Sequence, residues 1–279
     1  MRTRDLQPNC DMENRSEVFW HPKLLAAVMT VTGLLGTCLL LPTRLADPQL
    51  PNYEYKAAAS PATHVFSVPA RFQGKIVRQV QLPPKEKAIA LTFDDGPWPT
   101  TTVQVLKILK QNNIKATFFW IGKSLQAQPD VARQVVADGH VIGNHTWHHW
   151  YFRMNPATAA AEVENTAKLI YDTTGVKTAL FRPPGGFMHN GVAAYALRKN
   201  YTVAMWSSEP GEFRPSNTVA GYVTTVLSQA QPGAIVLMHD GGGNHSKTVQ
   251  ALPQIIARLR QQGYRFVTVP ELLKMQVSQ

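Results

Sequence analysis

Short apolar runs alternate with amphipathic helical stretches from about residue 86 onward, and this alternation constrains the fold more than any other feature. The apolar runs are rich in β-branched and aromatic residues, which is typical of strands buried on both faces of a parallel sheet. Seven such runs occupy residues 88–93, 115–122, 140–146, 179–183, 201–207, 233–239 and 265–269. The pattern predicts an α/β domain, either a barrel or a doubly wound sheet.

The stretches between these runs have the spacing of amphipathic helices. The clearest are TTVQVLKILKQN, AAAEVENTAKLIYDTTG, AGYVTTVLSQA and VQALPQIIARLRQQG. Gly175 follows the second of them and Gly263 ends the last, as expected for helix stop signals.

Polar and chelating side chains follow five of the predicted strands. They are Asp94 and Asp95, His145, Arg182, Ser207 to Glu209, and His239 and Asp240. Because chemistry in parallel α/β folds gathers at the carboxyl ends of strands, we expect these side chains to form one site.

Asp94 and Asp95 are adjacent carboxylates between the first apolar run and Gly96. A lone Asp-Asp-Gly sequence is more often a turn than a site. Neighbouring side chains at a strand end cannot point the same way, so we expect different roles for the two carboxylates. One would bind a metal ion, and the other would stay ionised beside it and accept a proton.

Three imidazoles, those of His145, His148 and His149, lie within five residues. If this segment is helical, the spacing of four places His145 and His149 on one face, as in other two-histidine metal sites. His148 is the second choice for the second ligand. Two histidines with one carboxylate leave coordination positions open, which favours a catalytic zinc over a structural one.

Arg182 and His239 have candidate roles from their surroundings. Arg182 lies in a loop of prolines and glycines, where it could orient a carboxylate, and Gly185 or Gly186 could offer a backbone N–H to an oxyanion. His239 follows an apolar strand and could be structural, but beside a metal it is a natural acid for a leaving amine.

Cysteine usage and charge exclude several classes of function. Cys10 and Cys38 both precede the predicted domain, so it has neither a disulfide framework nor a cysteine metal site. The net charge is +10, which suits either simple solubility or an anionic polymer. The Lys and Arg residues are scattered singly without a nucleic-acid module, so we expect no nucleic-acid partner.

The N-terminal part contains one candidate membrane segment. Residues 24–41 carry no charge and would span about 27 Å as a helix. A cleavable signal peptide, with a shorter apolar core, is the competing interpretation. The 18-residue length of the run and Arg44, two residues before the only small residue of a possible cleavage site at Ala46, favour an uncleaved anchor. The basic residues of segment 1–23 favour a cytoplasmic N-terminus. We expect residues 42–84 to be a Pro-rich linker and residues 85–275 to be the extracytoplasmic domain.

Four motifs in the same order resemble those of the polysaccharide deacetylases with a NodB homology domain, carbohydrate esterase family 4. They are Thr92-Phe93-Asp94-Asp95-Gly96, His145-Thr146-x-x-His149, Arg182-x-Pro184-x-Gly186 and Leu237-x-His239. The resemblance covers about residues 86–275. It implies a distorted (β/α)₇ barrel that uses a divalent metal, usually zinc, to hydrolyse an acetamide or acetyl ester on a sugar.

The resemblance also implies a role for each matching residue. Asp94 resembles the general base, and Asp95, His145 and His149 resemble the metal ligands. Further positions match residues of the substrate pocket: Arg182 would orient the base, Gly185 would donate its N–H to the oxyanion, His239 would be the general acid, and Leu237 would face the acetyl methyl group. We add Trp206 to the predicted substrate contacts.

The segment after the fifth strand departs from the family pattern. The family commonly has Asp-x-x-Asp-Trp, and this chain has Glu209-Pro210-Gly211-Glu212-Phe213. We expect Glu212 to pair with Arg182 and Phe213 to form an aromatic wall against the substrate. The longer Glu212 side chain puts the tuning of the base in doubt.

The expected function is removal of acetyl groups from an extracellular polysaccharide, most of all from N-acetylglucosamine of peptidoglycan. Chitin oligomers, acetylated xylan and exopolysaccharide remain open as substrates, and a non-catalytic wall-binding module is the alternative from another class. We expect the membrane, through the N-terminal helix, as a second partner and no obligate protein partner.

Overall fold

The computed structural model describes residues 66–214 and 216–277. The predicted cytoplasmic segment 1–23, the predicted membrane anchor 24–41 and residues 42–65 of the predicted linker lie outside the described residues. Within the described ranges, no helix has both the length and the apolar character needed to cross a bilayer.

Eight strands form one sheet, and every pair of neighbouring strands is parallel. The strands are β1 (Ile76–Val77), β2 (Ala88–Asp94), β3 (Thr117–Trp120), β4 (Val141–Asn144), β5 (Leu180–Phe181), β6 (Thr202–Ala204), β7 (Ile235–His239) and β8 (Arg265–Phe266). Their order is β1-β6-β5-β4-β3-β2-β7, with β8 paired to β2. All seven predicted strands are present, most of them shorter than predicted, and the two-residue β1 is an additional one.

The four predicted helical stretches are confirmed, and four shorter helices accompany them in the described chain. The helices are α1 (Thr101–Gln111), α2 (Gly122–Ala127), α3 (Pro129–Ala137), α4 (Pro156–Thr174), α5 (Val192–Arg198), α6 (Val219–Gln229), α7 (Ser246–Gln261) and α8 (Val269–Lys274). Two 3-10 turns cover Ala70–Phe72 and Pro184–Gly186. The Asn155 side chain caps the first turn of α4, and Gly175 ends that helix with a left-handed φ of 72°.

The sheet curls so that its far edges approach each other. A parallel bridge joins Ser208, beyond the end of β6, to Val236 in β7. An antiparallel bridge joins Gln79, just after β1, to Ala234. The architecture is therefore a curled parallel sheet covered by helices, consistent with a distorted (β/α) barrel rather than a flat doubly wound sheet.

Strand β2 is completely buried and divides its side chains between two environments. Ile89, Leu91 and Phe93 join the cluster that includes residues of α1, α6 and α7. Ala88 and Ala90 belong to a second cluster, which includes residues of α8. Because strand side chains alternate, Thr92 and Asp94 follow Ala90 on that second face, inside the curl of the sheet.

The folded region begins before the predicted boundary at residue 85. Val68, Phe72, Val77 and Val80 are buried in the cluster inside the curl. β1 also pairs with β6. The prediction of a linker is therefore wrong for residues 66–84, because apolar side chains there cover one end of the sheet interior despite the prolines around them.

Gly143 has no side chain and so leaves room for the Phe119 ring at the centre of the sheet. Gly143 is the cross-strand neighbour of Phe119, and a Cβ at this position would overlap the Phe119 ring. Phe119 in turn lies beneath the guanidinium of Arg182, with 4.1 Å between the guanidinium carbon and the ring centroid. The small residue on β4 thus determines how closely Arg182 can approach the neighbouring strands.

We predict that Gly143→Ala lowers the free energy of unfolding by about 1–3 kcal/mol, because the added methyl group must displace Phe119 from a filled interior. Urea denaturation followed by circular dichroism measures the change. Gly243→Ala is the control, since a Cβ there would lie 3.8 Å from its nearest neighbour, His245 Nε2. Equal stability of the Gly143→Ala variant and the parent protein would contradict the packing described for Phe119.

Candidate metal centre and active site

Most of the side chains predicted to converge do so at the carboxyl ends of the strands, around a cavity of about 510 Å³. Residues that line it are Asp94, Asp95, Ile121, His145, His149, Tyr151, Gly185, Phe187, Trp206, Glu209, Phe213, Leu237, His239 and Gly242. Arg182 and Asp240 lie behind this lining, and Ser207 and Ser208 are not part of it.

Arg182 is fully buried behind the cavity and holds Asp94 in place. Its Nη1 donates to Asp94 Oδ1 at 2.7 Å and to Thr92 Oγ1 at 2.8 Å. Its Nε and Nη2 donate to the backbone carbonyls of Ala204 and Met205, at 2.7 Å and 3.2 Å. Four of the five N–H groups of this planar fork therefore have partners, which fixes the guanidinium and the orientation of Asp94.

Asp94 and Asp95 both face the same centre, contrary to the expectation that their side chains would point apart. Asp94 Oδ2 lies 3.6 Å and Asp95 Oδ1 lies 3.4 Å from His145 Nε2. The reason is the left-handed backbone of Asp95, whose φ of 76° breaks the strand alternation at that residue. Different roles remain available to the two carboxylates because only Asp94 is held by Arg182.

The segment from His145 to His149 is a loop and not a helix, so the conditional prediction of helical spacing is wrong. Thr146 and His149 have left-handed backbones, with φ of 68° and 63°. These turns bring the two imidazoles together, with 5.0 Å between the ring centroids of His145 and His149.

Glu162 on α4 holds this loop and occupies His148. Its Oε2 accepts the backbone N–H groups of Trp147 and His148 at 3.0 Å and 2.8 Å. Its Oε1 lies 2.5 Å from His148 Nδ1. His148 is thereby drawn toward α4, and His149 is the histidine that faces the cavity. The sequence pattern did not reveal this role of Glu162, which lies 13 residues beyond His149 on a helix.

Asp95, His145 and His149 could hold a metal ion, since one ligand atom from each lies within 4.8 Å of the others. His145 Nδ1 lies 2.6 Å from the Arg182 carbonyl oxygen, which can only accept, so Nδ1 donates and Nε2 presents a lone pair. Asp95 Oδ1 is buried without a hydrogen-bond partner in the described structure. A buried carboxylate oxygen that faces the Nε2 atoms of His145 and His149, 3.4 Å and 3.2 Å away, fits a divalent cation.

The electrostatics keep the Asp95 ligand ionised. Burial opposes ionisation, but His145 and His149 outweigh it and hold the pKa of Asp95 well below its usual range.

Glu212 pairs with His239, and the predicted pairing with Arg182 is wrong. Glu212 Oε2 lies 2.5 Å from His239 Nδ1, and Oε1 accepts from Thr248 Oγ1 at 2.5 Å. The loop after β6 brings Glu212 to His239 at the end of β7, whereas Arg182 donates to Asp94, Thr92 and two backbone carbonyls. Glu212 therefore acts on the candidate acid and not on the candidate base.

His239 is buried next to this carboxylate. Burial alone lowers the pKa of an imidazole, but the hydrogen bond and charge of Glu212, with Asp94 and Asp95 nearby, raise the pKa of His239 to about 9. In the metal-free protein His239 is therefore a cation at neutral pH.

Asp240, which follows the sixth predicted strand, lies beneath the site without lining the cavity. It is fully buried and accepts from Thr102 Oγ1 at 2.5 Å. Burial raises the pKa of Asp240 to about 7, and the charges of Asp95 and Asp94 add to this effect. Asp240 thus supports the Asp94–Gly96 turn, since its backbone N–H donates to Asp94 O at 3.1 Å.

Aromatic and apolar side chains form the rim and walls. Leu237 is buried, Trp206 is half-buried, and Phe213 is 77% exposed with its ring centroid 5.0 Å from that of His239. Tyr151 and Phe187, which the sequence analysis did not single out, face each other across the opposite rim at 5.3 Å between ring centroids. Tyr151 comes two residues after His149 and Phe187 comes directly after Gly186, and these positions next to the motifs could have identified both as rim residues.

We predict that Glu212→Gln lowers the pKa of His239 by more than about 1 unit in metal-free protein, because a neutral amide no longer stabilises the imidazolium. NMR titration of the imidazole measures the change. A raised folded-state pKa stabilises the fold below the unfolded value near 6.5, and that contribution disappears as the pH rises through about 9. The difference in unfolding free energy between parent and Glu212→Gln should therefore shrink over that interval.

Glu209→Gln is the matched control, since Glu209 lines the same cavity without contacting His239. An equal fall in the pKa of His239 in both variants would show that general charge, and not the Glu212 contact, is responsible.

Comparison with known proteins places this geometry in a family. The family model described as polysaccharide deacetylase matches residues 81–204. A peptidoglycan-N-acetylglucosamine deacetylase of Bacillus cereus is 42% identical over 196 residues, which cover 70% of this chain and 92% of that relative. A Listeria monocytogenes peptidoglycan-N-acetylglucosamine deacetylase is 34% identical over 246 residues, covering 86% of this chain but 50% of that relative, so the chain spans half its length.

A solved structure shares the fold as well as the sequence. The crystal structure of a peptidoglycan N-acetylglucosamine deacetylase, in complex with a naphthalenyl N-hydroxybenzamide, has a TM-score of 0.67 and 30% sequence identity. The match covers 73% of this chain and 95% of that chain. On these similarities, together with the shared order of its motifs, the chain belongs to the polysaccharide deacetylase family of hydrolases.

Proposed function

We propose that this enzyme removes acetyl groups from N-acetylglucosamine residues of peptidoglycan and that it uses Zn²⁺. The observation that supports the proposal most is that Asp95, His145 and His149 share one cavity with a carboxylate held by Arg182 and an imidazole held by Glu212. This set of groups suits metal-assisted hydrolysis of an amide. The proposed substrate rests on the similarity to peptidoglycan deacetylases and on the net positive charge of the chain.

Asp95, His145 and His149 would hold the ion and leave positions open on the cavity side. The ion would supply Lewis acidity, which polarises a carbonyl and lowers the pKa of a water molecule. Zinc suits two imidazoles and one carboxylate better than Mg²⁺ or Ca²⁺, which prefer all-oxygen sites.

Asp94 is the group placed to take a proton from the attacking water. Its Oδ1 is occupied by Arg182, so Oδ2, the oxygen that faces His145, is free to accept. The fixed orientation removes the need to reorganise Asp94 during the reaction, which is how positioning contributes to rate. Arg182 acts through Asp94 and does not reach the substrate.

His239 is the group placed to protonate the leaving amine. Glu212 occupies Nδ1, so Nε2 is the nitrogen that can donate its proton. Glu212 raises the pKa of His239 to about 9, so the imidazole holds a proton that it can donate. Glu212 keeps the proton on His239 until the amine leaves.

The cavity walls have surfaces suited to an acetyl group and a sugar. Leu237 lines the cavity as an apolar surface for the methyl group, and Gly185 offers a backbone N–H toward the developing oxyanion. Gly185 has a left-handed φ of 58°, and a Cβ there would lie 2.9 Å from the Phe187 ring, so a side chain would be both strained and crowded. Trp206 and Phe213 supply flat apolar faces at the rim.

We predict that the purified protein releases acetate from N-acetylglucosamine oligomers or peptidoglycan, that chelation abolishes this release and that Zn²⁺ restores it.

We predict that Asp94→Asn retains zinc, since Asp94 lies outside the ligand trio, but loses at least about 100-fold in kcat because the base is absent. His145→Ala should lose both zinc and turnover. Acetate release and zinc content by mass spectrometry measure these outcomes.

Asp130→Asn is the control for Asp94→Asn, because Asp130 is an exposed carboxylate on α3 paired only with Arg133 among the described contacts. Retained activity in Asp94→Asn would refute the assignment of the base. Glycan binding without acetate release from any acetylated glycan, with zinc bound, would identify the chain as a wall-binding module.

We further propose that residues 24–41 anchor the enzyme in the membrane with the catalytic domain outside the cytoplasm. The support is the uncharged run of 18 residues and the basic residues that precede it. An outward-facing tethered enzyme would meet the cell wall first. We predict that the full-length protein stays in the membrane pellet after alkaline carbonate extraction and that deletion of residues 24–41 prevents this. Recovery of a soluble protein beginning after residue 41 would instead show a cleaved signal peptide.

A further inference from the structure

A second cavity of about 510 Å³ lies beside the active site and has no role in the reaction described above. Its lining includes Arg153, His189, Met154, Met188 and Pro156, and it includes no acidic residue. The active-site cavity, by contrast, is lined by Asp94, Asp95 and Glu209. The two cavities therefore differ in charge.

Two loops, one that follows His149 and one that contains Phe187, line both cavities. Tyr151 and Phe187 face the active site, and Arg153 and Met188 face the second cavity. Arg153 is two residues beyond Tyr151, and Met188 directly follows Phe187, so at most about 7 Å of backbone separates the members of each pair. Tyr151 and Phe187, which contact each other at the active-site rim, are therefore close along the chain to the lining of the second cavity.

One backbone and one side-chain hydrogen bond hold the two loops together on the side of the second cavity. The Met154 N–H donates to Asn190 O at 2.9 Å, and Asn190 Nδ2 donates to Trp150 O at 3.3 Å. Met154 and Asn190 are both buried. The position of the second cavity relative to the active site is consequently a fixed feature of the fold.

The chemistry of the second cavity suits a carboxylate. Arg153 is exposed, and no carboxylate in the described part of the chain lies within ion-pairing distance of it. A guanidinium binds a carboxylate through two parallel hydrogen bonds. His189 adds a second nitrogen group, and the methionines supply an adaptable apolar floor.

We propose that this second cavity, lined by Arg153 and His189, binds a carboxylate carried by the sugar next to the one that is deacetylated. The inference rests on the proposed function and narrows its substrate to an acidic glycan. In peptidoglycan the neighbouring sugar carries a lactyl ether, whose carboxylate is either free or linked to a peptide with its own carboxylates. Chitin and neutral xylan chains offer no such group.

Arg153→Gln tests the proposal in the full-length protein with three substrates. They are a neutral N-acetylglucosamine oligomer, a glycan with free lactyl carboxylates, and the same glycan bearing peptides. We expect kcat/KM to fall about five- to tenfold on the carboxylate-bearing glycans and to change less than about twofold on the neutral oligomer. A loss confined to one acidic glycan identifies the lactyl group or the peptide as the source of the carboxylate.

Arg258→Gln is the matched control, since Arg258 is exposed on α7 and does not line either cavity. Equal losses on neutral and acidic substrates, or no loss on either acidic glycan, would overturn the proposal.

Calorimetric binding of the same glycans to Asp94→Asn protein, with and without Arg153→Gln, separates this inference from the proposed function. Weaker binding of acidic glycans alone, without acetate release by the parent protein, would support the carboxylate site and refute the deacetylase. Acetate release by the parent protein, together with glycan binding that Arg153→Gln does not change, would support the deacetylase and refute the carboxylate site.

Discussion

The guanidinium of Arg182 is completely buried, and the site is organised around the hydrogen bonds that neutralise and orient it. It donates to Asp94, Thr92 and two backbone carbonyls, and its own carbonyl accepts from His145. One residue therefore connects the candidate base to a candidate metal ligand. A buried charge without these partners would cost several kcal/mol, so the arrangement of the surrounding strands is strongly constrained.

A second carboxylate–cation pair lies on β7, next to β2, where His239 is the cross-strand neighbour of Asp94. Glu212 holds His239 as Arg182 holds Asp94, but with the charges reversed, so that one pair is suited to donate a proton and the other to accept one. Asp95, His145 and His149, the candidate metal ligands, line the same cavity. Asp94 and Asp95 are adjacent in the chain and chemically identical, so their different candidate roles follow from the partner that each one has.

Seven strands, β2 to β8, and the convergence at their ends could be predicted because buried parallel strands appear as uninterrupted apolar runs and their carboxyl ends share one edge. Three features could not be. The left-handed backbones at Asp95, Thr146 and His149 have no signal in the local residue pattern, since such backbones are uncommon outside glycine. The partner of Glu212 depends on the path of a loop. Strand β1 and the packing of residues 66–84 lie in a proline-containing segment that has no long apolar run.

The central claim is that Asp95, His145 and His149 bind one catalytic cation in front of Asp94 and His239. Anomalous diffraction at the zinc edge, from crystals of the protein with zinc added, tests it most directly. We predict a single strong peak at about 2.0–2.2 Å from an Asp95 oxygen and from Nε2 of both histidines. A peak at His148 and Glu162 or between His239 and His245, with none at the trio, would contradict the claim.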